Sequence, residues 1–156
     1  PPALRPFLEY GPEPVAAGDG YRLFRAAARP PAAARALSLD GHAIAFGDDS
    51  WARQDGRAIQ TLTIWRQGGA PRPIQLYVHV LDQSGQLVAQ WDGLSAAWEG
   101  WRPGDTLMQL ATVTLPDSAP PGAYRVVAGL YDPLTNQRWR FADGQDGVEL
   151  GQFTVP

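Results

Sequence analysis

Apolar and polar residues alternate along much of the chain, with the period of two that β-strands impose on side chains. The longest example runs over residues 107–115. The positions on one of its faces are Leu107, Gln109, Ala111, Val113 and Leu115. The same alternation recurs in residues 58–66, 74–80 and 124–131. These segments are therefore predicted to be strands that pack at least one face into a core.

Short turn sequences separate the predicted strands. An Asp-Gly pair at 40–41 suits a tight hairpin turn, and Asp-Gln-Ser-Gly at 82–85 turns the chain after the strand at 74–80. Tyr124 follows a Pro-Gly turn, where its hydroxyl can reach back to the main chain a few residues upstream, as in the tyrosine corner of Greek-key sandwiches. The chain is therefore predicted to be all-β, an immunoglobulin-like Greek-key β-sandwich of about seven to nine strands.

Residues 1–35 differ in composition from the rest, because Pro and Ala dominate them. This segment is predicted to be an irregular tether, and residues 36–156 are predicted to be the β-sandwich domain. Aromatic residues of the tether, such as Phe7 and Tyr21, are too apolar for a free linker. They are expected to pack on this domain, with a neighbour outside this sequence as the alternative.

Composition narrows the classes of function. The chain has 156 residues, a formal net charge of -3, 17 Gly and 15 Pro, which suits one globular domain rich in turns. It lacks Cys and Lys, so no thiolate chemistry is expected, and its scattered Arg residues form no basic run for nucleic acid. No apolar run approaches the ~20 residues of a membrane span. Because the chain opens with Pro, it is interpreted as part of a longer protein.

No cluster of residues predicts a catalytic centre. His79 lies in mid-strand beside Tyr77, which is more typical of a hydrogen-bonded sheet residue than of a catalyst. Asp82 and Asp132 stand where turns begin, so their carboxylates are expected to accept main-chain N–H groups. The sequence therefore predicts no catalytic residue, no metal site and no cofactor.

Aromatic residues interleaved with acids around residues 91–101 are the least ordinary feature of the sequence. Indole rings can stack on the C–H faces of a sugar while carboxylates accept its hydroxyl groups. The candidate ligand-binding residues are Trp91, Trp98, Trp101, Tyr77, Asp92 and Glu99. The alternative interpretation is that the three indoles anchor the loop at 93–105 to the core.

Several stretches, taken in order, resemble a known family. They are LSLDGHAIAF, LTIWRQ, LYVHVLDQSGQLVAQWD, WRPGDTL and TLPDSAPPGAYRVVAGLYDPLTNQRW, all within residues 36–155. Together they resemble the C-terminal extracytoplasmic β-sandwich domain of bacterial polytopic membrane mannosyltransferase-like glycosyltransferases. His79, Asp92, residues 101–104 and residues 121–124 match that pattern, whereas Trp98 departs from it and inherits no role.

The resemblance implies a location, a partner and a function. It places the domain outside the cytoplasm, tethered to the membrane by a segment outside this sequence, with the membrane portion of its own full-length chain as its partner. The transferase's catalytic acids would lie in that membrane portion, so the isolated domain is expected not to be an enzyme. The leading hypothesis is a non-catalytic accessory or interaction domain of a larger membrane-associated, glycosyltransferase-like protein. The alternative is a carbohydrate-binding module whose Trp-rich loop binds a glycan or lipid-linked sugar.

Overall fold

The computed structural model describes residues 13–18, 21–25, 34–48, 50–70, 72–95 and 98–156. The chain divides into two compact units, Pro1–Pro30 and Pro31–Pro156. Over the part of the chain that the structure describes, there is no helix with the length and apolar character that crossing a bilayer requires.

The N-terminal unit contains an antiparallel hairpin of two strands, β1 (Glu13–Gly18) and β2 (Tyr21–Arg25). The sequence pattern predicts no strand in residues 1–35, so this hairpin differs from the expectation. The physical reason is that β-favouring residues such as Val15 and Tyr21 stand among the Pro and Ala residues. The role of the segment as a tether stays a prediction.

The described part of residues 31–156 contains ten strands. They are β3 (Ala34–Leu39), β4 (His42–Gly47), β5 (Trp51–Asp55), β6 (Ala58–Gln67), β7 (Gln75–Asp82), β8 (Leu87–Gly93), β9 (Thr106–Thr114), β10 (Gly122–Tyr131), β11 (Arg140–Phe141) and β12 (Gly147–Val155). A four-stranded sheet has the order β12-β10-β7-β8. A six-stranded sheet has the order β11-β3-β4-β6-β5, and β9 pairs along β6. The number of strands exceeds the predicted seven to nine because β5 lacks a clear alternation of apolar and polar residues in the sequence.

The two sheets enclose a hydrophobic core that the alternating residues supply. The inward residues of β7 and β10 are Leu76, Val78, Val80, Tyr124, Val126, Ala128 and Leu130, none more than 2% exposed. Residues of β6 and β9 in the same core cluster are Ile59, Trp65, Ala111 and Val113. The all-β sandwich and the inward row of β7 are thus confirmed. The immunoglobulin-like Greek-key detail stays a prediction.

Two predicted turns are present with the expected chemistry. The β3–β4 hairpin turns at Asp40 and Gly41, whose φ angles of 50° and 78° are left-handed, a region that Gly adopts without strain. Tyr124 donates its hydroxyl to the carbonyl oxygen of Pro120, as the predicted tyrosine corner requires. This bond fixes the entry into β10, which runs through the middle of the four-stranded sheet.

Candidate functional site

Polar and aromatic side chains gather on the outward face of the four-stranded sheet. Tyr77 of β7 lies directly opposite Asp92 of β8 and Gly129 of β10, and His79 lies opposite Gln90. We call this surface the sheet face, and its residues are Tyr77, His79, Gln90, Asp92, Val127, Gly129 and Tyr131. Directly opposed residues on one face lie about 5 Å apart, so these side chains are close enough to act on one ligand.

Tyr77 is the buried centre of the sheet face. Its hydroxyl donates to the carbonyl oxygen of Asp146 at 2.7 Å, and its ring lies against Gly129 and Gly147, where any Cβ would collide with it. The guanidinium of Arg138 covers the ring at 4.4 Å from its centre and pairs with the Asp146 carboxylate at 3.3 Å. Burial raises the pKa of Tyr77 to about 12, so the phenol remains a donor at neutral pH.

His79 lies beside Tyr77, with ring centres 4.5 Å apart and ring planes at 41°. Burial, and then the positive charge of Arg138, lower the pKa of His79 below its ordinary value, although Asp92 and Asp146 act in the opposite direction. The imidazole is therefore neutral at pH 7 and offers one hydrogen-bond donor and one acceptor.

Tyr131 and Asp92 meet at one end of the sheet face. Burial, followed by the negative charge of Asp92 and a hydrogen bond to it, raises the pKa of Tyr131. The phenol thus keeps its proton and lies near the carboxylate of Asp92, whose residue is exposed to solvent. Within the described ranges, no three His, Asp or Glu side chains are grouped so that they could hold a metal ion.

The Trp-rich loop, residues 94–105, joins β8 to β9 and carries a short 3₁₀ helix at Trp98–Gly100. Trp98 and Trp101 are half-buried and pack against the hydrophobic core, while Glu99 between them is exposed. This arrangement agrees with the interpretation that the indoles anchor the loop, and it leaves part of each ring open to solvent.

Trp91 and Asp92 point to opposite sides of β8. Trp91 lies opposite the buried Val78 and packs against the core, with its ring so close to Gly93 that a Cβ there would come within 2.6 Å of it. Trp91 therefore belongs to the inward side of the sheet, away from the sheet face.

Hydrogen bonds tie the Trp-rich loop at both ends. The main-chain N–H of Ser95 donates to Oε1 of Gln109, and Nε2 of Gln109 donates to Oγ of Ser95, both at 2.8 Å. At the other end, the N–H of Arg102 donates to the Asp105 carboxylate at 2.8 Å. The N–H of Gln67 donates to the carbonyl of Asp105 at 2.9 Å. The two ends of the loop are thus bonded to β9 and β6.

The structure brings together only part of the predicted site. Tyr77 and Asp92 are neighbours on the sheet face, whereas the remaining candidates lie on the loop or on the inward side of β8. Those remaining candidates are Trp91, Trp98, Glu99 and Trp101. The binding role of the six residues stays a prediction.

Sequence reasoning left Tyr131, His79 and Arg138 outside the candidate site. The alternation over residues 122–131 places Tyr131 on the same side as Gly129, so the position of Tyr131 could have been found from the sequence. Arg138 reaches Tyr77 from the loop after β10, and no local sequence pattern indicates that contact.

Comparisons with known proteins give two weak structural likenesses. No protein-family model matches the chain, and no curated protein matches it. The chain is similar to a β-glucuronidase from glycoside hydrolase family 2, with 15% identity and a TM-score of 0.44 over 69% of this chain and 10% of that one. It is also similar to a putative ApaA protein from Bordetella pertussis, with 14% identity and a TM-score of 0.34 over 76% of this chain and 96% of that one. This chain therefore spans about a tenth of the β-glucuronidase, and neither likeness assigns it an activity.

Proposed function

We propose that this chain is a non-catalytic accessory or interaction domain of a larger membrane-associated, glycosyltransferase-like protein. The observation that supports this proposal is the use of carboxylates inside turns. Four carboxylates accept hydrogen bonds from main-chain N–H groups of their own turns, namely Asp82, Asp105, Asp132 and Asp143. These groups maintain the shapes of loops.

The charge states of two of these carboxylates, Asp82 and Asp132, also support a structural role rather than a catalytic one. A catalytic acid or base works best with a pKa near the working pH. Hydrogen bonds, led by that from the Ser84 hydroxyl, lower the pKa of Asp82. Burial alone would raise the pKa of Asp132, but hydrogen bonds led by that from Arg72 lower it overall. Both carboxylates stay ionised near neutral pH, which suits turn anchors better than proton transfer.

We infer a larger protein because residues 36–155 resemble the C-terminal domain of mannosyltransferase-like membrane proteins. In this proposal the domain is extracytoplasmic, and a segment outside this sequence tethers it to the membrane. Its partner is the membrane portion of its own chain. External protease should then digest the domain in spheroplasts, and complete protection would contradict this placement.

The absence of catalysis is tested with the pure 156-residue chain. Incubation with lipid-linked sugar donors and with aryl glycosides is expected to give neither glycosyl transfer nor hydrolysis. Turnover by the wild-type chain that disappears in His79→Ala would overturn the proposal, because it would place a catalytic group on the sheet face.

A second candidate function is carbohydrate binding, which the sheet face favours. Tyr131 and His79 present half-buried rings beside the exposed carboxylate of Asp92, and this combination suits ring stacking with hydroxyl recognition. Arg138, which covers Tyr77, has a side chain that is 40% exposed. Its ion pair is a surface pair of about 0–1 kcal/mol, so a ligand can displace it.

A glycan panel that includes lipid-linked sugars tests this candidate. Tyr131→Ala and Trp98→Ala are titrated separately, after circular dichroism has shown that each variant is folded. Loss of affinity in Tyr131→Ala alone would assign binding to the sheet face, and loss in Trp98→Ala alone would assign it to the Trp-rich loop. No saturable binding to any glycan would overturn the carbohydrate candidate.

A further inference from the structure

An open cleft of about 340 Å³ lies where the β7–β8 turn meets β10 and β12. Its lining includes Asp82, Gln83, Gly85, Tyr124, Arg125 and Gln152. The cleft lies at one end of the sheet face, because Arg125 is two residues along β10 from Val127, which pairs with His79.

Two turn glycines shape this cleft. Gly85 has a φ of 83°, and a Cβ there would lie 3.7 Å from Nη2 of Arg125, so the turn approaches the guanidinium closely. At the start of β10, a Cβ on Gly122 would lie 3.3 Å from Nε2 of Gln83. The absence of a side chain at these two glycines therefore leaves room for the side chains of Arg125 and Gln83, which line the cleft.

The cleft holds two opposite charges that do not pair with each other. One oxygen of Asp82 accepts hydrogen bonds from Ser84 N, Ser84 Oγ and Gln86 N at 2.8, 2.7 and 2.9 Å. Its second oxygen remains for a ligand. In the described part of the chain, Arg125 takes part in none of the ion pairs. Since Nε2 of Gln152 donates to Glu149 at 2.8 Å, the amide oxygen of Gln152 also remains as an acceptor.

This combination of groups favours a neutral polar ligand. A phosphate would meet the negative charge of Asp82, and a metal ion would meet the positive charge of Arg125, so neither matches the cleft. A neutral sugar satisfies both groups, since one of its hydroxyl groups can donate to the carboxylate while another accepts from the guanidinium.

We propose that the cleft is a subsite for a neutral sugar, whose hydroxyl groups bind Asp82 and Arg125 in its lining. The inference rests on the carbohydrate-binding role proposed above and adds the class of ligand. Arg125 and Tyr131 are six residues apart on β10, which is roughly 20 Å along the strand. That distance is too long for one sugar ring, so the ligand is an oligosaccharide that runs along the sheet face.

The test is titration of the ¹⁵N-labelled full chain with mannotetraose, cellotetraose and chitotetraose. We expect one of these probes to shift the amide resonances of Gly85 and Ala123 saturably. Loss of a charge-assisted hydrogen bond in Arg125→Ala should weaken that binding about tenfold or more. The matched control is Arg66→Ala, because Arg66 is another exposed arginine on the other sheet. Gln83→Ala tests the same cleft if Arg125→Ala does not fold.

Two negative results have different meanings. If a probe binds but the Gly85 and Ala123 resonances stay unchanged and Arg125→Ala retains full affinity, the cleft inference falls while the carbohydrate-binding role stands. If neither these probes nor any member of the glycan panel shifts a resonance of the wild-type chain, the carbohydrate-binding role falls and the cleft inference falls with it.

Discussion

Several polar side chains in this protein bind main-chain groups that the strand ladders leave without partners. Tyr124 and Tyr77 donate their hydroxyl groups to the carbonyl oxygens of Pro120 and Asp146, both of which precede a strand. Buried main-chain groups need such partners because water cannot reach them. The chemistry of these residues is therefore explained by the fold, and it leaves the more exposed groups of the sheet face as candidates for a ligand.

Asp132 provides the sharpest test at the scale of one residue. Its carboxylate is buried, accepts from the N–H of Leu134 at 2.8 Å and pairs with Arg72 at 2.7 Å. Asp132→Asn keeps an acceptor for the turn but leaves Arg72 with a weakened partner, so we expect a loss of about 2 kcal/mol in unfolding free energy at pH 7. Urea denaturation measures this loss. Asp117→Asn is the control, because Asp117 is fully exposed and its ion pair with Arg57 is long, at 3.6 Å.

The same substitution has a pH dependence whose sign is fixed by the depressed pKa of Asp132. A carboxylate with a folded-state pKa below its unfolded value stabilises the protein above the unfolded pKa, which is about 3.9. The difference in stability between wild type and Asp132→Asn should therefore be constant near neutral pH. It should shrink as the pH falls below about 4. A difference that grows on acidification would show that Asp132 is not held as an ionised group.

At the scale of elements, the contact between β10 and β12 depends on a pair of glycines. Gly129 and Gly147 are paired in register and lie under the Tyr77 ring. A Cβ on Gly129 would overlap with the Tyr77 hydroxyl and with the carbonyl of Asp146. Gly129→Ala is thus expected to cost about 3 kcal/mol, whereas Gly100→Ala, which has open space around its Cβ, should change stability little. Equal thermal midpoints for the two variants would contradict the close packing under Tyr77.

The Trp-rich loop depends on one buried side chain of β9. Gln109 is 1% exposed and makes the reciprocal pair of hydrogen bonds with Ser95. Gln109→Met keeps a similar volume but removes these bonds, so the loop should open and the free energy of unfolding should fall by about 2 kcal/mol. Hydrogen exchange of the Ser95 amide measures the opening directly. Gln90→Met is the control, because Gln90 is an exposed glutamine on β8, and unchanged exchange in Gln109→Met would contradict the anchoring role.

At the scale of the whole molecule, the sequence predicts the sandwich well because its signals are local and periodic. The inward row of β7, the turn at Asp40 and the tyrosine corner at Tyr124 each need only a few neighbouring residues to be recognised. The hairpin β1–β2 and the strand β5 escape this reasoning because short strands among Pro, Gly and charged residues carry little periodic signal.

The candidate site is less predictable because it joins residues that are distant in the sequence. Adjacent residues in a strand face opposite sides, so Trp91 and Asp92 cannot share one surface even though the sequence pattern grouped them. Arg138 contacts Tyr77 although the two residues are far apart in the sequence. Arg138 lies in a loop whose path no local sequence pattern indicates. The residues of the sheet face become neighbours only through strand pairing, which the local sequence pattern does not specify.

Substitutions in the Trp-rich loop distinguish the proposed scaffold role of the loop from the proposed carbohydrate-binding role. Trp98 and Trp101 are half-buried against the core, so Trp98→Ala combined with Trp101→Ala should lower the unfolding free energy by about 3 kcal/mol. A pure binding surface would instead tolerate the double substitution with an almost unchanged melting temperature. Differential scanning calorimetry of the double variant measures the difference, and Trp51→Ala provides a comparison with a half-buried indole on β5. A stable double variant that has lost glycan binding would make the loop the recognition site. A destabilised double variant that still binds would leave recognition to the sheet face.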